Sequence, residues 1–307
     1  MSRIIQFVTA FLLISRVGFC QSDSLTVVGA RWETKKVAPG IWLKTCWFDH
    51  NLFGANQYIS ILEIKQGHRN KIDVEAEPKV LKPPSEFGRE HNALAALNGN
   101  FFDTKNGGSE DYIRIDGKEL NGNKLNKNHG RIMHQKAAIV IDHHKLTIQR
   151  WNGSDNWEQN LEGEDIMVTG PLLLKSEQRM ELDTTSFFTA RHPRTAVAKK
   201  GNRILFITVD GRNLKAAGMS LYELASFLKW MRVDDAVNMD GGGSTTLWIK
   251  GFEEGGVINH PSDNKKMEHA KEYKPGMDLD NLPADVQKWD HTGERKVANV
   301  LVVNERK

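Results

Sequence analysis

The stretch Ala236-Val237-Asn238-Met239-Asp240-Gly241-Gly242-Gly243-Ser244-Thr245-Thr246-Leu247-Trp248 constrains this chain more than any other. An apolar run ends in a lone carboxylate, three glycines follow, and three hydroxyl residues lead into a second apolar run. Glycine loses more backbone freedom on folding than any other residue, so three in succession are costly to order. A hairpin needs one or two of them. Close approach of a ligand to bare backbone is the leading explanation for the third. The bland alternative is a flexible hairpin loop behind a chance Asp.

Similar junctions recur. Ala93-Leu94-Ala95-Ala96-Leu97 predicts a short buried strand that runs out into Asn98-Gly99-Asn100-Phe101-Phe102-Asp103. Residues 204–209 predict another, ending at Asp210-Gly211-Arg212. The best helix signal follows: Ser220 and Glu223 form a capping box, and Leu221, Leu224, Ala225 and Leu228 recur on one face through Met231. The order strand, helix, strand predicts a crossover unit with Asp210 and Asp240 just past strand ends, where ligands bind in open sheets. Spacing leaves open whether the two strands are neighbours.

Elsewhere the pattern is strand-rich. Residues 37–48 and 57–64 read as strands, and Pro83-Pro84-Ser85 halts the chain with Ser85 as N-cap of a short helix over 86–91. Residues 104–135 read as a polar excursion with a hairpin at Asp116-Gly117, in which His129, Arg131 and His134 are expected to be solvated. A hairpin over 137–151, a strand at 172–174 and a terminal strand at 297–303 complete the reading. The expected fold class is α/β (α+β): a mixed β-sheet core flanked by helices. Residues 21–85 form a β-rich N-terminal part packed on the same domain as residues 86–307. Hydrophobic residues at 39% allow a sizeable core, and a net charge of +3 over 307 residues lacks the basic excess of a nucleic-acid binder.

Residues 1–20 have the layout of a secretory signal peptide. Arg3 precedes an apolar stretch over 4–14, and Gly18 and Cys20 supply small residues for cleavage before a polar segment. Export with cleavage, to the periplasm or the medium, is favoured over lipid attachment at Cys20 or a retained anchor. After cleavage no membrane span is expected. Cys46 is then the sole thiol and reads as a small core hydrophobe.

Five ordered blocks, Ala96-Leu97-Asn98-Gly99-Asn100-Phe101-Phe102, Pro193-Arg194-Thr195-Ala196-Val197, Val209-Asp210-Gly211-Arg212, Gly218-Met219-Ser220 and Asn238 through Thr246, together resemble the phosphodiester glycosidase family over roughly residues 90–303. The resemblance implies an α/β domain, a bacterial exported member, and hydrolysis of a sugar 1-phosphodiester of the N-acetylglucosamine type at its glycosidic C–O bond. Asn100 stands where the family pattern leads one to expect a second glycine. The family's animal member is disulfide-rich and carries accessory modules that this chain lacks, which leaves the natural substrate open.

Such a substrate presents an anion and an acetal carbon. Arg194 and Arg212 are the candidate guanidinium forks for the phosphate, and the backbone of Gly241, Gly242, Gly243 and Ser244 is a candidate anion nest. No Gly-Lys-Ser/Thr follows, so this is not a Walker loop. Glycosidases use two carboxylates, but a phosphate monoester leaves as a stable anion and one carboxylate suffices. Asp240 ranks first, Asp210 second and Glu294 third, and their roles as nucleophile or base depend on a separation that sequence does not carry. Asn98, Asn100, Thr195, Ser244 and Thr245 are candidate hydrogen-bonding partners of the substrate. No cofactor is expected, and a metal stays open. The competing readings are a metal-dependent phosphodiesterase cutting P–O, for which the eleven His show no His-x-His or His-Glu-x-x-His pattern, and a non-catalytic glycan-binding protein.

Overall fold

The structure is a computed structural model that describes residues 23–67, 69–124, 130–252, 254–264 and 288–305. The expected leader with Cys20, and His129 in the polar excursion, lie outside the described residues. No helix among them is long and apolar enough to cross a membrane.

The strands assemble into three sheets, and the pairings within them are antiparallel. An eight-stranded sheet runs in the order β1 (Glu33–Ala38), β2 (Ile41–Leu52), β3 (Ala55–Lys65), β14 (Arg203–Val209), β13 (Arg194–Lys200), β15 (Asp235–Asn238), β11 (Leu172–Lys175), β12 (Gln178–Arg179). A four-stranded sheet holds β16 (Leu247–Ile249), β5 (Ala95–Asn98), β17 (Asn299–Glu305) and β4 (Asn70–Ala76). The third has β7 (Lys118–Asn121), β6 (Ile113–Ile115), β10 (Asp165–Thr169), β8 (Ala137–Asp142) and β9 (Lys145–Arg150). The arrangement is α+β, with few helices. The N-terminal strands enter the same sheet as the glycine-loop strand, because β3 pairs with β14 from Arg203↔Lys65 to Val209↔Ile59.

Alternation explains the layering. In β3, Ile59 and Ile61 join one core while Leu62 and Ile64 join the other, so this strand is buried on both faces. The first core gathers Leu62, Val74, Leu97, Ile139, Met167, Val197, Phe206 and Leu301 from all three sheets. The second lies under the helix Leu221–Trp230, whose Leu221, Leu224, Phe227 and Leu228 have no exposed surface. Each such side chain stabilises the fold by about 1.5–3 kcal/mol. The capping box is present: Ser220 Oγ accepts from Glu223 N at 3.2 Å, and Glu223 Oε2 accepts from Ser220 N at 2.9 Å. Cys46 is buried, and desolvation pushes its thiol up to about 11.

The strand order answers what spacing left open, and two expectations need correction. β14 and β15 run parallel, since each is antiparallel to β13, but β13 lies between them. The crossover therefore spans two strand spacings, about 10 Å. The helix after Pro83 covers Pro84–Glu90 with Pro83 at its N-cap, so Ser85 sits inside the first turn. Arg131 is not solvated but forms a buried ion pair with Glu158.

Gly99, just past β5, is wedged against β17: a methyl there would lie 1.9 Å from Asn299 Oδ1 and 2.9 Å from Asn299 O. Gly99→Ala is expected to lower stability by about 2 kcal/mol, read as a reduced urea midpoint at unchanged slope.

Candidate active site

The ends of β5, β13, β14 and β15 meet along one edge, and a buried amide joins three of them. Asn98 Nδ2 donates to Asp240 O at 2.7 Å, and Asn98 Oδ1 accepts from Thr195 Oγ1 at 2.8 Å and Thr246 N at 3.0 Å. Asp240 N donates to Gly99 O at 3.1 Å. A second amide pair lies beneath: Asn100 N donates to Asn299 Oδ1, Asn299 Nδ2 donates to Asn100 Oδ1, both at 2.7 Å, and Asn100 Nδ2 donates to Val168 O at 2.8 Å. Asn98, Asn100 and Thr195, expected to face a substrate, are thus fully engaged in holding the main chain around Asp240.

The three glycines answer to the protein's own groups. A methyl on Gly241 would lie 2.7 Å from Pro193 O, and one on Gly243 would lie 2.2 Å from Asp263 Oδ1 and 2.3 Å from Arg295 Nη2. Gly242 has φ 60, in the left-handed region, and the Arg212 guanidinium lies 3.2 Å from where its Cβ would sit. The backbone nest is mostly closed. Gly241 N donates to Asp240 Oδ1, Gly242 N to Pro193 O, Ser244 N to Gly241 O and Thr245 N to Gly242 O. The small glycines thus admit the Arg212 and Arg295 guanidinium groups to this loop. The Thr245 Oγ1 and Thr246 Oγ1 hydroxyls are buried without a hydrogen-bond partner among the described residues.

Asp240 is the carboxylate of this loop. Burial raises its pKa to about 6, against the pull of the Ser244 hydroxyl, the Arg295 charge, the Gly241 N–H and the His134 charge. Arg295 is held by Asp263 through a 2.8 Å bond from Nε and a 3.2 Å bond from Nη2. Arg212, itself at φ 58, reaches His192 Nδ1 at 3.4 Å. His134 packs on Phe101 with centroids 4.4 Å apart, and Phe101 on Phe187 at 6.1 Å, giving an aromatic wall.

Asp210 is different. It is 1% exposed, and its Oδ2 accepts from His260 N at 3.0 Å and His260 Nδ1 at 2.7 Å. Burial raises its pKa, and the His260 bonds pull it back. His260 in turn stacks on Trp289 at 3.8 Å and leans on Tyr58 and His291. Asp210 orients an imidazole and anchors the 259–264 loop.

A sequence model for phosphodiester glycosidases matches residues 91–304. The chain belongs to the phosphodiester glycosidase family. Asn98, Asp210, Arg212, Asp240, His260 and Arg295 all fall within the matched span. The chain is 34% identical over 108 residues to N-acetylglucosamine-1-phosphodiester alpha-N-acetylglucosaminidase of Mus musculus, covering 32% of this chain and 20% of the relative. To the Homo sapiens enzyme of the same name it is 26% identical over 190 residues, covering 58% and 35%. It therefore spans between a fifth and about a third of these relatives' lengths. The zebrafish catalytic domain of that enzyme, auto-inhibited by its pro-peptide, superposes with a TM-score of 0.59 at 23% identity, covering 90% of this chain and 84% of that one, which shows a shared fold.

Two candidate site residues are engaged by the protein's own groups. Arg194 donates to Met219 O, Phe187 O and Ala190 O at 2.8–2.9 Å, so its fork is occupied by backbone. Burial and the nearby Arg212 charge lower it to about 10. Glu294 accepts from Ser85 N at 3.0 Å and from Ser85 Oγ, closing the first turn of the helix Pro84–Glu90. Conversely, sequence reasoning missed His134, His260 and Arg295. Val257-Ile258-Asn259-His260 has the same apolar-to-polar grammar as the flagged junctions and was the available signal. His134 carries none, since Asp111, its partner, lies 23 positions away. Among the described residues no three His, Cys, Asp or Glu side chains come together as a ligand set.

Glu294→Ala is expected to lower stability by about 1–2 kcal/mol through loss of that cap, while turnover per folded molecule stays within a few fold of wild type. Thermal melts paired with an activity assay check both.

Proposed function

We propose that the chain hydrolyses the glycosidic C–O bond of a sugar 1-phosphodiester, of the N-acetylglucosamine-1-phosphodiester type, releasing the sugar and a phosphomonoester. The observation that carries this reading is Asp240: a carboxylate at a strand end, half-buried, with Arg295 and Arg212 brought to its loop by glycines that leave them room. The names of the curated relatives support the substrate class. Ionised Asp240 faces the anomeric carbon, where the transition state carries positive charge. Arg212 and Arg295 take the phosphate oxygens, whose charge grows as the bond breaks. The Phe101–Phe187 wall offers an apolar face to the sugar ring. Asp210, with its Oδ2 held by His260, acts through that imidazole rather than at the acetal carbon. The expected leader supports an activity outside the cytoplasm, in the periplasm or the medium.

The test is turnover of N-acetylglucosamine 1-phosphodiesters beside ordinary glycosides, with wild type and Asp240→Asn. Wild type is expected to cleave the former, and the variant to lose activity by at least about 100-fold. The ratio kcat/KM should fall below pH 6 as Asp240 gains its proton. Stability moves the other way. The native carboxyl binds its proton near pH 6 and the unfolded one near 3.8, so its destabilising effect is absent below the lower value and complete above the higher. Asp240→Asn is therefore expected to be more stable than wild type at pH 8 by about 1–2 kcal/mol, a gain that fades between pH 6 and pH 4. A folded Asp240→Asn with near-normal turnover removes Asp240 from the chemistry.

A further inference from the structure

We propose that His134 is the catalytic base of this site, accepting the proton of the water that attacks the anomeric carbon. The inference rests on the sugar 1-phosphodiester reading above and adds a residue to it.

The imidazole is held through one nitrogen. Its Nδ1 lies 2.7 Å from Asp111 Oδ2, and Asp111 has no exposed surface. The other Asp111 oxygen accepts from Gln135 Nε2 at 2.9 Å. With Nδ1–H donating to this carboxylate, Nε2 keeps its lone pair and serves as an acceptor. A carboxylate is costly to bury, and this one is buried beneath a histidine whose own side chain is 20% exposed. The ring orientation is held from a second side by Phe101 at 4.4 Å. The segment carrying it is pinned as well, because a methyl on Gly170 would lie 2.8 Å from Met133 O and 3.1 Å from His134 Cα. His134 lies near the strand end that carries Asp240, because Gly170, against which it packs, accepts through its O from Asn238 Nδ2 at 3.1 Å, two residues before the carboxylate.

In the step, the water oxygen bonds to the anomeric carbon as the bond from that carbon to the phosphate oxygen breaks. The bonding pair leaves with the phosphomonoester, toward Arg212 and Arg295. The water proton passes to His134 Nε2, giving an imidazolium paired with the Asp111 carboxylate, and solvent takes that proton before the next turnover. Asp240 stays ionised throughout and offsets the positive charge on the carbon.

The experiment measures kcat and KM of the full chain on N-acetylglucosamine 1-(methyl phosphate), for wild type, His134→Ala and His134→Gln, each checked for native circular dichroism. The expected result is an active wild type, kcat lowered about 100-fold in both variants with KM within about threefold, and partial recovery of His134→Ala by added imidazole. Folded His134→Gln with kcat near wild type overturns the inference and leaves the functional reading standing. So does a loss in His134→Ala that imidazole does not restore, which marks a packing role. A wild type that cleaves no sugar 1-phosphodiester overturns the functional reading first, and the base with it.

Discussion

The site depends on one buried side chain. Asn98 ends β5 in the four-stranded sheet, yet its three hydrogen bonds reach Asp240 O, Thr195 Oγ1 and Thr246 N, which belong to the eight-stranded sheet and the glycine loop. A buried polar group left without a partner costs about 1–3 kcal/mol, so these bonds form together or the two sheets do not meet properly. Satisfying the amide sets the main chain on both sides of Asp240. Asn100 and Asn299 repeat the arrangement one layer down. The carboxylate is thus placed by the fold itself, directly after the core residue Met239.

From that placement follows a separation of charges. Asp210 and Asp240 both end buried strands, and burial pushes both carboxyls upward, but their compensation differs. Asp210 is held by two bonds from one histidine residue and becomes part of an imidazole stack with Trp289. Asp240 receives one backbone bond, the pull of the Ser244 hydroxyl and the fields of Arg295 and His134, with no imidazole among the described residues bound to it. The arginines divide in the same way. Arg194 is bound to three backbone carbonyls, whereas Arg212 lies over Gly242, where any side chain would displace it.

Much of this architecture was legible in the sequence. Short apolar runs ending in Asn, Asp or Gly marked the strand ends around the site, and the Ser220–Glu223 capping box located the longest helix among the described residues. What spacing does not encode is which strand inserts between two others, so β13 between β14 and β15 came only from the pairing. The glycines at 241–243 stand out in the sequence, but part of their reason lies about 20 and 50 residues on, in Asp263 and Arg295. Individual polar roles were harder still. Asn98 and Thr195 carry the chemistry of sugar ligands and perform that of a framework, because a buried amide satisfies backbone as readily as it satisfies a hydroxyl. His134 was invisible for the opposite reason: it sits in a polar stretch that resembles solvated loop, and its carboxylate partner is distant in sequence.

The central claim is that chemistry occurs at carbon, with Asp240 facing the acetal and the arginines holding the phosphate. Hydrolysis of an N-acetylglucosamine 1-phosphodiester in oxygen-18 water tests this most directly, by mass spectrometry of both products. The account predicts label in the released sugar and none in the phosphomonoester. Label in the phosphate would show P–O cleavage and contradict it.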